Sequence, residues 1–223
     1  MLNADFSQWA NAIQMLIALI LSVAVHEFGH AWAANRLGDP LPRLQGRLTL
    51  NPARHIELVG TIIIPLLGFL RPGLPMLGWG KPVMTNPMAY SRRFSRLTGS
   101  MLVSLAGPGM NLVLALIASA ILVIGVRSGA MPREVAADLL VMVIRLNLSL
   151  LFLNLLPIPP LDGGAVLAWV LPRSMQNVID FLNRWGFVIL FALVLTPGLR
   201  YLMAPGYMVI DQWMYALASL VGP

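Results

Sequence analysis

Long uncharged stretches are the feature that most limits what this chain can fold into: residues 12–25, 101–126, 139–158 and 186–197 hold almost no charge. A helix needs about 20 apolar residues to cross a bilayer. Only 11% of the residues are charged, against about 25% in a soluble domain. So few polar side chains cannot coat a water-soluble globule. The expected class is an all-α polytopic membrane protein, one domain over residues 1–223. It should have about five to six transmembrane helices. With no cysteine, disulfides and thiolate metal sites are excluded, and any metal must be held by histidine and carboxylate. The net charge of +6 reads as membrane orientation and headgroup contact, not as a nucleic-acid surface.

Segment 9–37 reads as one long helix that stops at Gly38-Asp39-Pro40. Segment 41–56 is Arg-rich, with polar residues alternating at Arg43, Gln45, Arg47 and Thr49, which predicts a small β-hairpin at the membrane face. Segment 57–80 is apolar but broken by Pro65, Gly68, Arg71-Pro72-Gly73 and Pro75. That punctuation predicts a re-entrant segment, entering and leaving on one side. Helices are expected over 95–126, 136–156, 177–198 and 205–221. With the N-terminus outside, the inner side would hold Arg36, Arg43, Arg47, Arg54, Lys81, Arg92, Arg93, Arg96, Arg173 and Arg184. Arg127, Arg133 and Arg200 would lie outside, and Arg71 and Arg145 are assigned to neither side. Ten basic residues against three is the asymmetry of the positive-inside rule. The apolar start has no basic lead and runs straight into a charged motif, unlike a secretory signal.

That motif is Val25-His26-Glu27-Phe28-Gly29-His30. Residues four apart share a helix face, so both imidazoles can reach one divalent ion. Glu27 can face a water on that ion as general base. On a soluble surface such a pattern means little. Three ionisable groups on a membrane helix cost several kcal/mol unless they serve a polar purpose inside the bundle; the plain alternative is a polar cluster that only aids helix packing. A catalytic zinc commonly takes three protein ligands plus water. Asp162, in Asn154-Leu-Leu-Pro-Ile-Pro-Pro-Leu-Asp162-Gly-Gly, is the favoured third ligand, because a carboxylate bounded by such apolar sequence needs a cation. His55, in the Arg-rich segment, is its competitor. The expected helix directions bring the HExxH end of the first helix, Ala106 to Asn111, and Asn154 to Asp162 to one depth.

At these residues the chain resembles the site-2 protease family of intramembrane metalloproteases. The matching pieces are HEFGH (26–30), NPARHIELVGT (51–61), GWGKPV (78–83), AGPGMN (106–111) and NLLPIPPLDGG (154–164). The likeness is nearest to the compact prokaryotic branch without PDZ or CBS modules. It implies hydrolysis of a peptide bond within or near the transmembrane segment of a membrane-protein substrate. By matched position, His26, His30 and Asp162 would bind Zn²⁺ and Glu27 would be the base. Asn154 would stabilise the oxyanion or position substrate, and Asn111 would line the site. Segment 43–50, with Arg47 and Thr49, would pair with an unwound substrate strand by β-augmentation. The branch implies a bacterial plasma membrane, and the count of basic residues puts the site toward the cytoplasm. Two other functions compete: an inactive homologue that binds membrane helices, and a zinc or proton transporter. The substrate and the oligomeric state are not written in the sequence.

Overall fold

The computed structural model describes residues 2–70, 78–131 and 133–221, with side chains described for 9–68, 78–131 and 139–221. Eight α-helices are described, beginning with α1 (Leu2–Arg36), the short α2 (Leu41–Leu44) and α3 (Ile64–Leu70). Then come α4 (Arg96–Arg127), α5 (Arg133–Asn154), α6 (Gly163–Val170), α7 (Gln176–Val194) and α8 (Gly198–Val221). Five of these correspond to the helices expected from the apolar runs. Among the described residues, three are long and apolar enough to cross a membrane: Trp9–Arg36, Arg96–Arg127 and Arg173–Val194.

Helix α4 is the hub, packing on α1, α5, α6 and α8. Its start is fixed by Ser95, whose Oγ accepts from Thr98 N at 3.0 Å, satisfying a donor the helix leaves open. Ala115, Ala118 and Leu122 of α4 meet Ile144 and Leu148 of α5 and Ile210 and Leu217 of α8 in a dry cluster. Small residues let the α1 and α4 backbones approach closely, as membrane bundles favour. A Cβ on Gly29 would lie 2.5 Å from Ala106 O. Helix α7 is the contrast: Phe181, Phe187, Val188 and Phe191 stay exposed, as expected of a lipid-facing helix with few partners.

The β-hairpin expected over 41–56 does not form, and no strand occurs among the described residues. Local chemistry overrides the alternation of polar residues. Proline at 40 and 42 suits a helical first turn, and Asp39 Oδ1 accepts from Leu41 N at 2.9 Å. Gly46, at φ 66°, closes that turn where a side chain would be strained. Asn51 then caps a 3₁₀ turn over Pro52–Arg54.

The apolar segment after it begins as a π-helix over Leu58–Ile63, capped by the Glu57 carboxylate, and continues as α3. The breaker Arg71-Pro72-Gly73 and Pro75 lie outside the described residues. At Trp79 the chain is back beside residues 60 and 61. Trp79 N donates to Gly60 O (3.1 Å), Thr61 Oγ1 donates to Trp79 O (2.7 Å) and Lys81 N donates to His55 O (2.8 Å).

Residues 78–86 form an extended strap, tied at further points to Arg47 Nη2 (onto Pro82 O, 3.2 Å) and to Glu27 Oε2 (from Val83 N, 3.1 Å). It is also tied to Asp39 Oδ2 (from Asn86 N, 2.6 Å).

Candidate metal centre

One turn of α1 separates His26 from His30, so both rings leave the helix on the side that faces α4. There the sequence supplies Gly107. A Cβ at that position would strike the His30 ring and lie 2.8 Å from His26 Cε1. The notch exists because this residue has no side chain. The third group arrives from Asp162, the N-cap of α6. Aspartate at that position usually caps the helix, yet its carboxylate makes no capping bond and turns to the imidazoles.

The distances define a cage. His26 Nε2 lies 3.3 Å from Asp162 Oδ2, and His30 Nε2 lies 3.4 Å from Asp162 Oδ1. The two Nε2 atoms are 3.0 Å apart, with the rings edge to face at 87°. Each Nδ1 is already engaged, His26 with Asn111 Oδ1 at 2.7 Å and His30 with Val103 O at 2.8 Å. Both partners are oxygens that accept, so each neutral ring carries its proton on Nδ1. Both Nε2 lone pairs then converge with a carboxylate, and Asp162 Oδ2 is buried without a hydrogen-bond partner. Three acceptors at this range repel one another unless a cation lies among them. Ligands around a tetrahedral zinc, at about 2.0–2.1 Å from it, stand roughly 3.3 Å apart; the three atoms fit that spacing. The three side chains keep 12–14% of their surface exposed.

His55 is not part of it. The ring is fully buried elsewhere, and Nε2 meets Thr49 O at 2.8 Å while Nδ1 has no partner. Burial lowers its pKa below the usual 6.5, against a smaller raising effect of the Thr49 carbonyl. Among the described residues, His26, His30 and Asp162 form the one group of histidine and acidic side chains close enough to share an ion.

The other expected site residues lie as follows. Glu27, nearly buried, aims its carboxylate at Val83 N of the strap. Asn154 donates from Nδ2 to Leu150 O of its own helix at 3.0 Å. Asn111 is fully buried and stands behind His26, not on an open wall. Arg47 is buried too, its guanidinium donating to Arg54 O and Pro82 O. Thr49 Oγ1 accepts from Asn51 N at 3.1 Å. Arg47 and Thr49 thus brace a loop rather than form a sheet edge. Three residues around the cage were not singled out from sequence: Gly107 as the notch, and Ser22 and Asn147 beside Asn111. The signal for the last two was present, since an amide and a hydroxyl at membrane depth must find partners.

The sequence profile of peptidase family M50 matches residues 14–129 and 123–193. The chain belongs to that family. Among M50 relatives it is 36% identical to YwhC of Bacillus subtilis (strain 168) over 195 residues, covering 86% of this chain and 84% of YwhC. It is 36% identical to Rip2 of Mycobacterium tuberculosis (strain H37Rv) over 215 residues, 95% of this chain and 77% of that protein. With Rip2 of Mycolicibacterium smegmatis it shares 32% over 190 residues, 84% of this chain and 69% of the other. All three are named as candidate zinc metalloproteases. No solved structure is significantly similar to the chain. This M50 chain is accordingly a metalloprotease of the site-2 protease type.

Proposed function

We propose that the chain is a single membrane domain that cuts membrane proteins within or near their transmembrane segments, using one zinc ion held by His26, His30 and Asp162. The observation that carries this reading is the convergence of two Nε2 lone pairs and a carboxylate whose outer nitrogens are already engaged. Bound zinc supplies Lewis-acid chemistry, drawing charge from the scissile carbonyl and making water more acidic.

The protein's own groups do the rest. Glu27 takes the proton of the attacking water and delivers it to the leaving nitrogen. The Val83 N–H donates to the Glu27 carboxylate at 3.1 Å and so fixes where that carboxylate points. Asn154 keeps a second amide hydrogen beside the one given to Leu150, and donates it to the developing oxyanion. Arg47 and Thr49 act on substrate indirectly, by bracing the loop and strap next to Glu27. Five to six segments cross the bilayer with 57–80 re-entrant, in a bacterial plasma membrane, and the cage opens toward the cytoplasm. The contact of residues 60 and 61 with Trp79 and the crowd of basic residues expected on that side support this orientation.

The test uses detergent-purified full-length protein, assayed for zinc content and for chelator-sensitive cleavage of a transmembrane peptide. One zinc per chain and loss of cleavage on chelation are expected. Cleavage that survives complete zinc removal would defeat the reading.

A further inference from the structure

Behind His26 lies a fully buried polar chain that the reading above uses only at its Asn111 end: Ser22, Asn111 and Asn147, each with no exposed surface. They come from three helices, α1, α4 and α5. Ser22 Oγ donates to Ala18 O at 2.7 Å. Asn147 Nδ2 donates to Ser22 Oγ and to Val143 O, both at 2.8 Å. Asn147 Oδ1 accepts from Asn111 Nδ2 at 2.9 Å, which also donates to Ser22 O at 3.3 Å. Asn111 Oδ1 faces His26 Nδ1 at 2.7 Å.

The direction of every link follows from the main chain. A carbonyl only accepts. Val143 O therefore fixes which end of the Asn147 amide is the NH₂ group, and Ser22 O does the same for Asn111. Turning either amide over would set two oxygens against each other in a dry interior, at the full cost of unpaired buried polar groups. With both amides set, the oxygen of Asn111 must meet His26, and His26 must carry its proton on Nδ1. The free lone pair is then on Nε2, the nitrogen that faces His30 and Asp162.

We propose that Ser22, Asn111 and Asn147 form a directed relay that sets the tautomer and ring orientation of His26, with Asn147 as its key positioning residue. The proposal rests on His26 being a metal ligand. Partners behind a ligating histidine typically change metal affinity about 10- to 100-fold when removed. Asn147 never touches the ion or substrate, so its effect travels through Asn111.

The experiment measures zinc affinity by chelator competition on the full chain in detergent, for His26→Ala, Asn147→Leu, Ser22→Ala and Ile144→Val. Nitrogen-15 NMR of the histidine ring in the same proteins reports which nitrogen holds the proton. Asn147→Leu should weaken zinc binding about 10- to 100-fold and give His26 a mixture of tautomers. Ser22→Ala leaves Val143 O to orient the Asn147 amide and should cost only a few-fold. Ile144→Val loosens the same helix face without touching the relay, so it should lower the melting temperature with zinc affinity intact. Wild-type affinity and a single Nδ1–H tautomer in both Asn147→Leu and Ser22→Ala would overturn the relay while His26→Ala still loses zinc. Stoichiometric zinc in His26→Ala would instead overturn the metal site on which the relay depends. If Asn147→Leu fails to fold, Ser22→Ala decides alone, and unchanged zinc affinity there counts against the relay.

Discussion

His26 and His30 are chemically the same residue on the same face of one helix, yet they are mounted in different ways. His30 leans on Val103 O, a main-chain atom of α4. His26 leans on the Asn111 side chain, which is itself held by Ser22 and Asn147. The first mount survives almost any substitution that keeps α4 in place. The second can be dismantled by a single change two residues removed from the ring. Ligands of one ion can thus have unequal genetic exposure, and the inequality is visible only in what stands behind them.

The largest effects should ignore this asymmetry. Asp162→Ala removes a ligand both rings share, and zinc content measured by elemental analysis should fall from one per chain toward zero. Retained stoichiometric zinc would mean that another group completes the cage. Glu27→Gln should keep zinc and lower the turnover of a transmembrane peptide about 100- to 10,000-fold, the usual contribution of a general base. Gly107→Ala places a methyl against both rings at once, and a displacement near 1 Å can cost about 100-fold in rate. Zinc affinity should drop with it.

The next pair separates the two mounts. Asn111→Leu should weaken zinc binding about 10-fold or more, whereas Val103→Ala keeps the carbonyl and should leave affinity unchanged while costing on the order of 1 kcal/mol of stability. Equal losses from both would erase the distinction between side-chain and main-chain anchoring.

The smallest effect belongs to the third imidazole. His55 is buried with its folded pKa lowered from 6.5. The unfolded chain therefore binds the proton first as pH falls. The stability this ring contributes is whole above pH 6.5 and declines as pH drops toward the lowered value. Melting temperatures between about pH 8 and pH 5 should show the decline in the native protein and less of it in His55→Gln.

Much of this was legible in the sequence. The apolar runs gave the long helices because lipid tolerates little else. HExxH and Asp162 could be read as a cage because a charge at that depth demands a partner. The strand expected at 41–56 was not there, since alternation over a few residues is weaker than Pro40, Pro42 and Gly46 acting on the backbone directly. Asn111 looked like a wall of the site from its motif, and only the packing of α5 against α4 shows it turned inward. Ser22 and Asn147 escaped notice because side chains paired across 125 residues leave no local pattern. Gly107 stood inside the AGPGMN motif with no role of its own, and only the structure shows it packed against the pair of imidazoles.

The strap that holds Glu27 has a temporal consequence. Its ties run to Asp39, His55, Gly60, Thr61, Arg47 and Glu27 itself, all of which leave the ribosome before the strap does. The cage waits for Asp162, made some two helices later. A nascent chain can therefore seat the Glu27 carboxylate against Val83 long before Asp162 is available to close the cage.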